Sequence, residues 1–157
     1  MASNDLKPGD KAPDFTLPAD GNGTISLAQL KGKSVVLYFY PKDDTSGCTA
    51  EAIAFTKDSK AFKAAGAVIL GISKDSAKSH DKFKAKYELQ LTLAADEDTK
   101  IAQAYGVWVE KSMYGRRYMG MERATFLIDG KGVIRQIWRK VKVPGHSAEV
   151  LAAVKAL

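Results

Sequence analysis

Val35-Val36-Leu37-Tyr38-Phe39-Tyr40-Pro41-Lys42-Asp43-Asp44-Thr45-Ser46-Gly47-Cys48-Thr49 is the stretch that decides the reading of this chain. Val35 to Tyr40 is a continuous apolar, β-branched and aromatic run, as expected of a strand buried on both faces. Pro, Asp, Thr, Ser and Gly then break the run, and a helical pattern starts at Thr49. A strand, a turn and a helix in that order place Cys48 at a helix start. Free N–H groups and the positive end of the helix dipole favour a thiolate there.

Cys48 is the only cysteine among 157 residues. It can form no internal disulfide and belongs to no Cys-x-x-Cys pair. Free cysteine is also among the most buried residue types, so a packed structural thiol is the alternative. The polar, glycine-containing turn favours a reactive sulfur.

The length fits a single domain over 1–157, with ordinary globular proportions of 45% hydrophobic and 27% charged residues. No apolar run reaches the length of a membrane span, and the first residues carry no signal-peptide core, so the cytoplasm is the expected compartment. The net charge of +6 raises nucleic-acid binding as a function. The lysines are, however, spread from Lys7 to Lys155 among acidic residues, and Arg139-Lys140-Val141-Lys142 is the densest basic group. A solvated basic surface explains that distribution better.

Working outward, Phe15–Pro18 and Thr24–Leu27 flank a Gly/Asn turn and read as a hairpin, with a helical turn over Leu27–Leu30. A helix from Thr49 carries Phe55 and Phe62 on one side and stops at Gly66. Ala67–Ser73 is a second buried strand. A helix from Ser76 or Ser79 carries His80, Phe83 and Tyr87 on one face. Leu91–Ala95 is a short strand, Asp98–Tyr105 a short helix, Ala124–Ile128 and Val133–Trp138 a hairpin, and Ser147–Leu157 a last helix capped by Ser147. Residues 1–6 and Val109–Met121 read as soft segments. Early βαβ units followed by a late hairpin predict an α/β fold, with a mixed central sheet flanked by helices.

Pro41-x-x-x-Thr45-x-x-Cys48 at a strand-to-helix junction resembles the active-site motif of the peroxiredoxins. Tyr38–Thr45, Gly47-Cys48-Thr49 and Glu51-Ala52 resemble the Q-type subgroup, the bacterioferritin comigratory proteins. Gly9–Phe15, Leu70–Ser73 and Tyr118–Asp129 extend the resemblance over nearly the whole chain. It implies a thioredoxin-like fold with an N-terminal β-hairpin extension. It also implies a thiol-dependent peroxidase for hydrogen peroxide and alkyl hydroperoxides, in which Cys48 is the nucleophile and becomes a sulfenic acid.

The same resemblance makes Pro41 a wall of the pocket, Thr45 a hydroxyl for the peroxide or thiolate, and Arg123 the cation that holds both. Alone, Thr45 would read as a helix cap, Pro41 as a strand terminator and Arg123 as a surface charge. Glu51 reads first as a carboxylate complementing the dipole in the first helical turn, and second as a contact of the site. Asp43 and Asp44 read as turn residues, His80 and His146 as surface or helix-face residues, and Trp108 and Trp138 as packing residues.

Three departures from the subgroup stand out. Ser46 replaces a proline, and the two positions where members carry a resolving cysteine are Ile53 and Lys84. The chain thus resembles a one-cysteine variant. The resemblance implies no metal, haem or flavin, and thioredoxin, glutaredoxin or a small thiol such as glutathione as external reductant. A monomer is expected, with no nucleic-acid or membrane partner. A non-enzymatic redox sensor or holdase built on the same cysteine is the rival, and a thiol–disulfide exchange protein is disfavoured by the missing Cys-x-x-Cys.

Overall fold

In the computed structural model, residues 6–157 are described; the expected softness of residues 1–6 falls almost entirely outside them. The strands are β1 (Thr16–Ala19), β2 (Gly23–Ser26), β3 (Ser34–Phe39), β4 (Ala67–Ser73), β5 (Thr92–Ala95), β6 (Trp108–Met113), β7 (Arg116–Met121), β8 (Ala124–Ile128) and β9 (Ile134–Trp138). The helices are α1 (Ser46–Lys57), α2 (Ser59–Ala64), α3 (Ala77–Tyr87), α4 (Lys100–Ala104) and α5 (His146–Lys155).

Seven strands form one mixed sheet in the order β2-β1-β5-β4-β3-β8-β9. β3 runs parallel to β4, and β4 to β5, because a helix crosses over between each pair. β8 and β9 add antiparallel to β3 as the expected late hairpin. The early hairpin β1–β2 joins the far edge through Ala19 and Ala94.

Alternation along β3 divides the core in two. Val35, Leu37 and Phe39 enter one cluster with Tyr105 and Phe126. Val36, Tyr38 and Tyr40 enter the other with Cys48, Phe55, Phe62, Phe83, Val150 and Val154, supplied by α1, α2, α3 and α5. Tyr38 pairs across with Gly71, where a Cβ would stand 2.8 Å from the tyrosine ring. Only glycine leaves room for the ring there.

The structure corrects four readings. The single helix expected from Thr49 starts at Ser46 and breaks at Asp58 into α1 and α2; Gly66, at φ 80°, still ends it. Val109–Met121 is not a loose segment but the β6–β7 hairpin, turned by Tyr114 and Gly115, both at positive φ. Ser147 does not cap α5, which follows Gly145; its hydroxyl donates to Asp58 Oδ2 at 2.8 Å and ties α5 to the α1–α2 break. Of the surface or helix-face reading of His80 and His146 the surface alternative fails, since they are 0% and 4% exposed; His80 does share its α3 face with Phe83. Trp108 and Trp138 pack half-buried against the two clusters, as expected.

Candidate active site

β3 ends at Phe39, and Tyr40 N–H still donates to Ile72 O at 3.1 Å. Pro41 has no N–H with which to continue, so the chain leaves the sheet there. It turns through Asp44 at φ 57° and enters α1 with extended Thr45 at the cap position. Cys48 is the third residue of α1. Its sulfur lies beside the helix start and is nearly sealed, at 2% exposure.

Arg123 arrives from the β7–β8 link, 75 residues away in sequence. Its Nη2 donates to Cys48 Sγ at 3.4 Å, and its Nη1 donates to Glu51 Oε1 at 2.6 Å. One guanidinium therefore bridges the thiol and a carboxyl on the same helix. Burial disfavours charge on Arg123, but Glu51 and Cys48 outweigh it and hold the guanidinium more firmly protonated than usual. Gly47 makes room for this approach, since a Cβ there would lie 3.1 Å from Arg123 Nη2.

Glu51 is in the second helical turn, not the first, and is only 2% exposed. It is a contact of the site, and its dipole role gives way to an ion pair. Burial pushes its carboxyl up to about 7 despite the opposing pull of Arg123. Burial thus works against the Glu51 charge, while the Arg123 guanidinium keeps one donor on its carboxyl and another on the sulfur. Tyr38 lies beneath, its hydroxyl buried and without a partner. Burial, then Glu51 and Cys48, keep it well above the usual tyrosine range, so it stays a neutral phenol.

Thr45 is exposed and its hydroxyl does not cap α1; it donates to Lys42 O at 2.9 Å. Thr45 O accepts from Thr49 N–H at 2.8 Å, which fixes the first turn around Cys48. Pro41 is half-buried at the start of the same loop. Of the four residues singled out in the sequence, Arg123 and Cys48 make direct polar contact, while Pro41 and Thr45 frame the turn.

Two features escaped sequence reading. Lys111, on β6, is close enough for its charge to be coupled to the site. Burial and the Arg123 charge hold its ammonium below the usual lysine value, against the pull of Cys48 and Glu122. It belongs to the stretch read as soft, so nothing pointed to it. Asp43 is a buried hub rather than a plain turn residue. It accepts from Tyr40 Oη at 2.6 Å and Ser79 Oγ at 2.7 Å, and lies 2.8 Å from His80 Nδ1. Burial works to raise its carboxyl, but these hydrogen bonds and the histidine outweigh it and hold it below the usual value.

A single thiol at a helix start, gripped by an arginine on a mixed sheet, defines a thioredoxin-fold thiol enzyme. The AhpC/TSA family matches residues 8–137. A putative peroxiredoxin bcp of Coxiella burnetii is 55% identical over 146 residues, covering 93% of this chain and 97% of that protein. Peroxiredoxin Bcp of Bacillus subtilis is 49% identical over 147 residues, 94% of each chain. The bacterioferritin comigratory protein of Xanthomonas campestris, solved in trapped-intermediate and ligand complexes in a study of its alkyl peroxide reduction, superposes with a TM-score of 0.86 at 44% identity. That match covers 99% of this chain and 93% of that one. The chain belongs to the AhpC/TSA family as a peroxiredoxin of the Bcp or Q type, and is a thiol-dependent peroxidase with one cysteine.

Proposed function

We propose that Cys48 is the peroxidatic nucleophile, that Arg123 holds its thiolate and orients the peroxide, and that Pro41 and Thr45 complete the pocket. The observation that carries this reading is the 3.4 Å contact from Arg123 Nη2 to Cys48 Sγ at the start of α1. The sulfur lone pair attacks the distal peroxide oxygen. The S–O bond forms as the O–O bond breaks, and sulfur is oxidised by two electrons to the sulfenic acid. The departing oxygen takes a proton and leaves as water or an alcohol. Arg123 donors face the negative charge that moves onto that oxygen, which is electrostatic stabilisation of the transition state. Thr45 offers its hydroxyl at the mouth, and Pro41 keeps water from the sulfur.

The substrates are hydrogen peroxide and alkyl hydroperoxides; alkyl peroxide reduction by the Xanthomonas campestris relative supports the second class. No bound cofactor takes part. Regeneration comes from outside the chain: a thiolate attacks the sulfenic sulfur, water leaves, and a second thiol cleaves the mixed disulfide. Thioredoxin or glutaredoxin with glutathione supplies those thiols. The protein acts as a monomer in the cytoplasm, where a lone thiol stays reduced. No helix among the described residues is long and apolar enough to cross a membrane.

The test is peroxide consumption by purified protein, with thioredoxin, glutaredoxin plus glutathione, and dithiothreitol supplied separately. Turnover with one of the protein reductants is expected, abolished by Cys48→Ser. Oxidation of Cys48 no faster than that of a free thiol would favour the sensor reading instead.

A further inference from the structure

His80 points from α3 into the core with no exposed surface. Its Nε2 lies 2.9 Å from Ala94 O on β5, and its Nδ1 lies 2.8 Å from Asp43 Oδ2. A backbone carbonyl can only accept, so Nε2 carries a hydrogen. An ionised carboxylate can only accept as well, so Nδ1 carries one too. Tyr40 Oη, 3.4 Å from Nδ1, already donates to Asp43 Oδ1 and offers no proton to the ring. Acceptors facing both ring nitrogens call for an imidazolium, which with Asp43 would form a buried ion pair whose carboxylate also receives Tyr40 and Ser79.

Asp43 belongs to the loop that runs from Pro41 to Thr45. Its N–H donates to Asp75 Oδ2 at 2.8 Å, an oxygen that also receives Ser73 Oγ at 2.6 Å. The next residue, Asp44, accepts from Lys86 Nζ at 2.8 Å and Tyr87 Oη at 2.6 Å on the last turn of α3. α3 therefore grips the loop at two successive carboxylates. The grip at Asp44 is exposed and weak. The grip at Asp43 is buried, and removing one partner would strand a charge out of water.

We propose that His80 is a positioning residue for the peroxidase reaction: its imidazolium anchors Asp43 and thereby holds the Pro41–Thr45 loop in register over Cys48. The proposal rests on the assignment of Pro41, Thr45 and Cys48 to the reacting site. His80 touches no reacting atom, so its effect falls on the rate of attack on peroxide and not on ionisation of the thiol. A small misplacement of reacting groups is enough to cost one to two orders of magnitude in rate.

The geometry also specifies which substitution is tolerated. In Asp43→Asn the amide Nδ2 replaces Oδ2 and can donate to Ser79 Oγ and to the Nδ1 of a neutral His80, while Oδ1 still accepts from Tyr40. The bridge survives without its charges. Asp43→Ala and His80→Gln break it.

Two measurements decide. Long-range proton–nitrogen NMR of the wild type at neutral pH is expected to show both ring nitrogens of His80 protonated, assigned by their loss in His80→Gln. Stopped-flow oxidation of Cys48 is expected to slow by about tenfold or more in His80→Gln and Asp43→Ala, and to recover to within about threefold of wild type in Asp43→Asn. The far-ultraviolet thiolate absorbance should be equal in all of them. A neutral His80 ring in the wild type, or His80→Gln reacting at the wild-type rate, overturns the proposal. If His80→Gln does not fold, the spectrum, assigned instead by the signals lost in His146→Gln since the chain has two histidines, and the two Asp43 variants still decide. A wild type that fails to react with peroxide sinks the peroxidase assignment; a reactive wild type with an equally reactive His80→Gln sinks the positioning role alone.

Discussion

Arg123 and Cys48 lie 75 residues apart in the chain, yet Nη2 of the one stands 3.4 Å from Sγ of the other. A second nitrogen of the same guanidinium is tied to Glu51, so its direction is fixed before any substrate arrives. Replacing Arg123 by Met keeps much of the bulk and removes the charge. The peroxide reaction is expected to slow by about 10²-fold or more. Stopped-flow oxidation checks this; an unchanged rate would remove Arg123 from the site.

Gly47 gives a prediction in which stability and activity part company. Alanine is the better helix former by roughly 0.5–1 kcal/mol in a helix interior. A Cβ at position 47 would, however, sit 3.1 Å from Arg123 Nη2 and push the guanidinium aside. Gly47→Ala is expected to melt at or slightly above the wild-type temperature while reacting several-fold more slowly with peroxide. Thermal melts and oxidation kinetics on one preparation test both halves.

Glu51 makes stability depend on pH. Its carboxyl is raised from 4.5 to about 7 in the folded protein, chiefly by burial. A raised acid contributes its stability below the unfolded value and loses it as pH rises through the folded one. The wild type should therefore lose roughly 2–3 kcal/mol between about pH 5 and about pH 8 relative to Glu51→Gln, which keeps an acceptor for Arg123 Nη1. Urea denaturation of both proteins at the two pH values measures the difference. Parallel stability curves would show that Glu51 stays ionised throughout.

With one cysteine, the sulfenic acid has no thiol on its own chain to condense with. Ile53 is 44% exposed on α1, and Lys84 is engaged with Asp20 at 2.8 Å. Graded peroxide without reductant is expected to carry Cys48 through the sulfenic to the sulfinic acid, and added thiol to prevent it. Intact mass spectrometry follows each step. Persistence of the sulfenic acid through a large peroxide excess would mean that the nearly sealed pocket blocks the second oxidation.

Local pattern carried most of the fold. The apolar run before Pro41, the run ending at Ser73, the glycines at 66 and 106 and the late hairpin each declare their element within a few residues. Strand and helix periodicity, turn chemistry and caps are short-range physics. β6 and β7 were missed because Glu110 to Arg117 lacks an apolar alternation, and the Tyr114-Gly115 turn is a weak signal without it. The motif around Cys48 made the sulfur legible, since a turn followed by a helix start is itself a local feature.

What the sequence determined by itself was the order of most elements, the β6–β7 hairpin and the α1–α2 break apart, the single sulfur and, through the motif, the expectation of Arg123 beside it. Tertiary structure alone decided what those partners touch. Glu51 became a buried partner of Arg123, its carboxyl pushed up to about 7, because folding removed it from water, and no neighbour in sequence reports that loss. His80 Nδ1 came within 2.8 Å of Asp43 Oδ2 because α3 packs against the loop after β3, 37 residues away. Burial and long-range approach set the charge of these groups, and both depend on the whole sheet being closed around them.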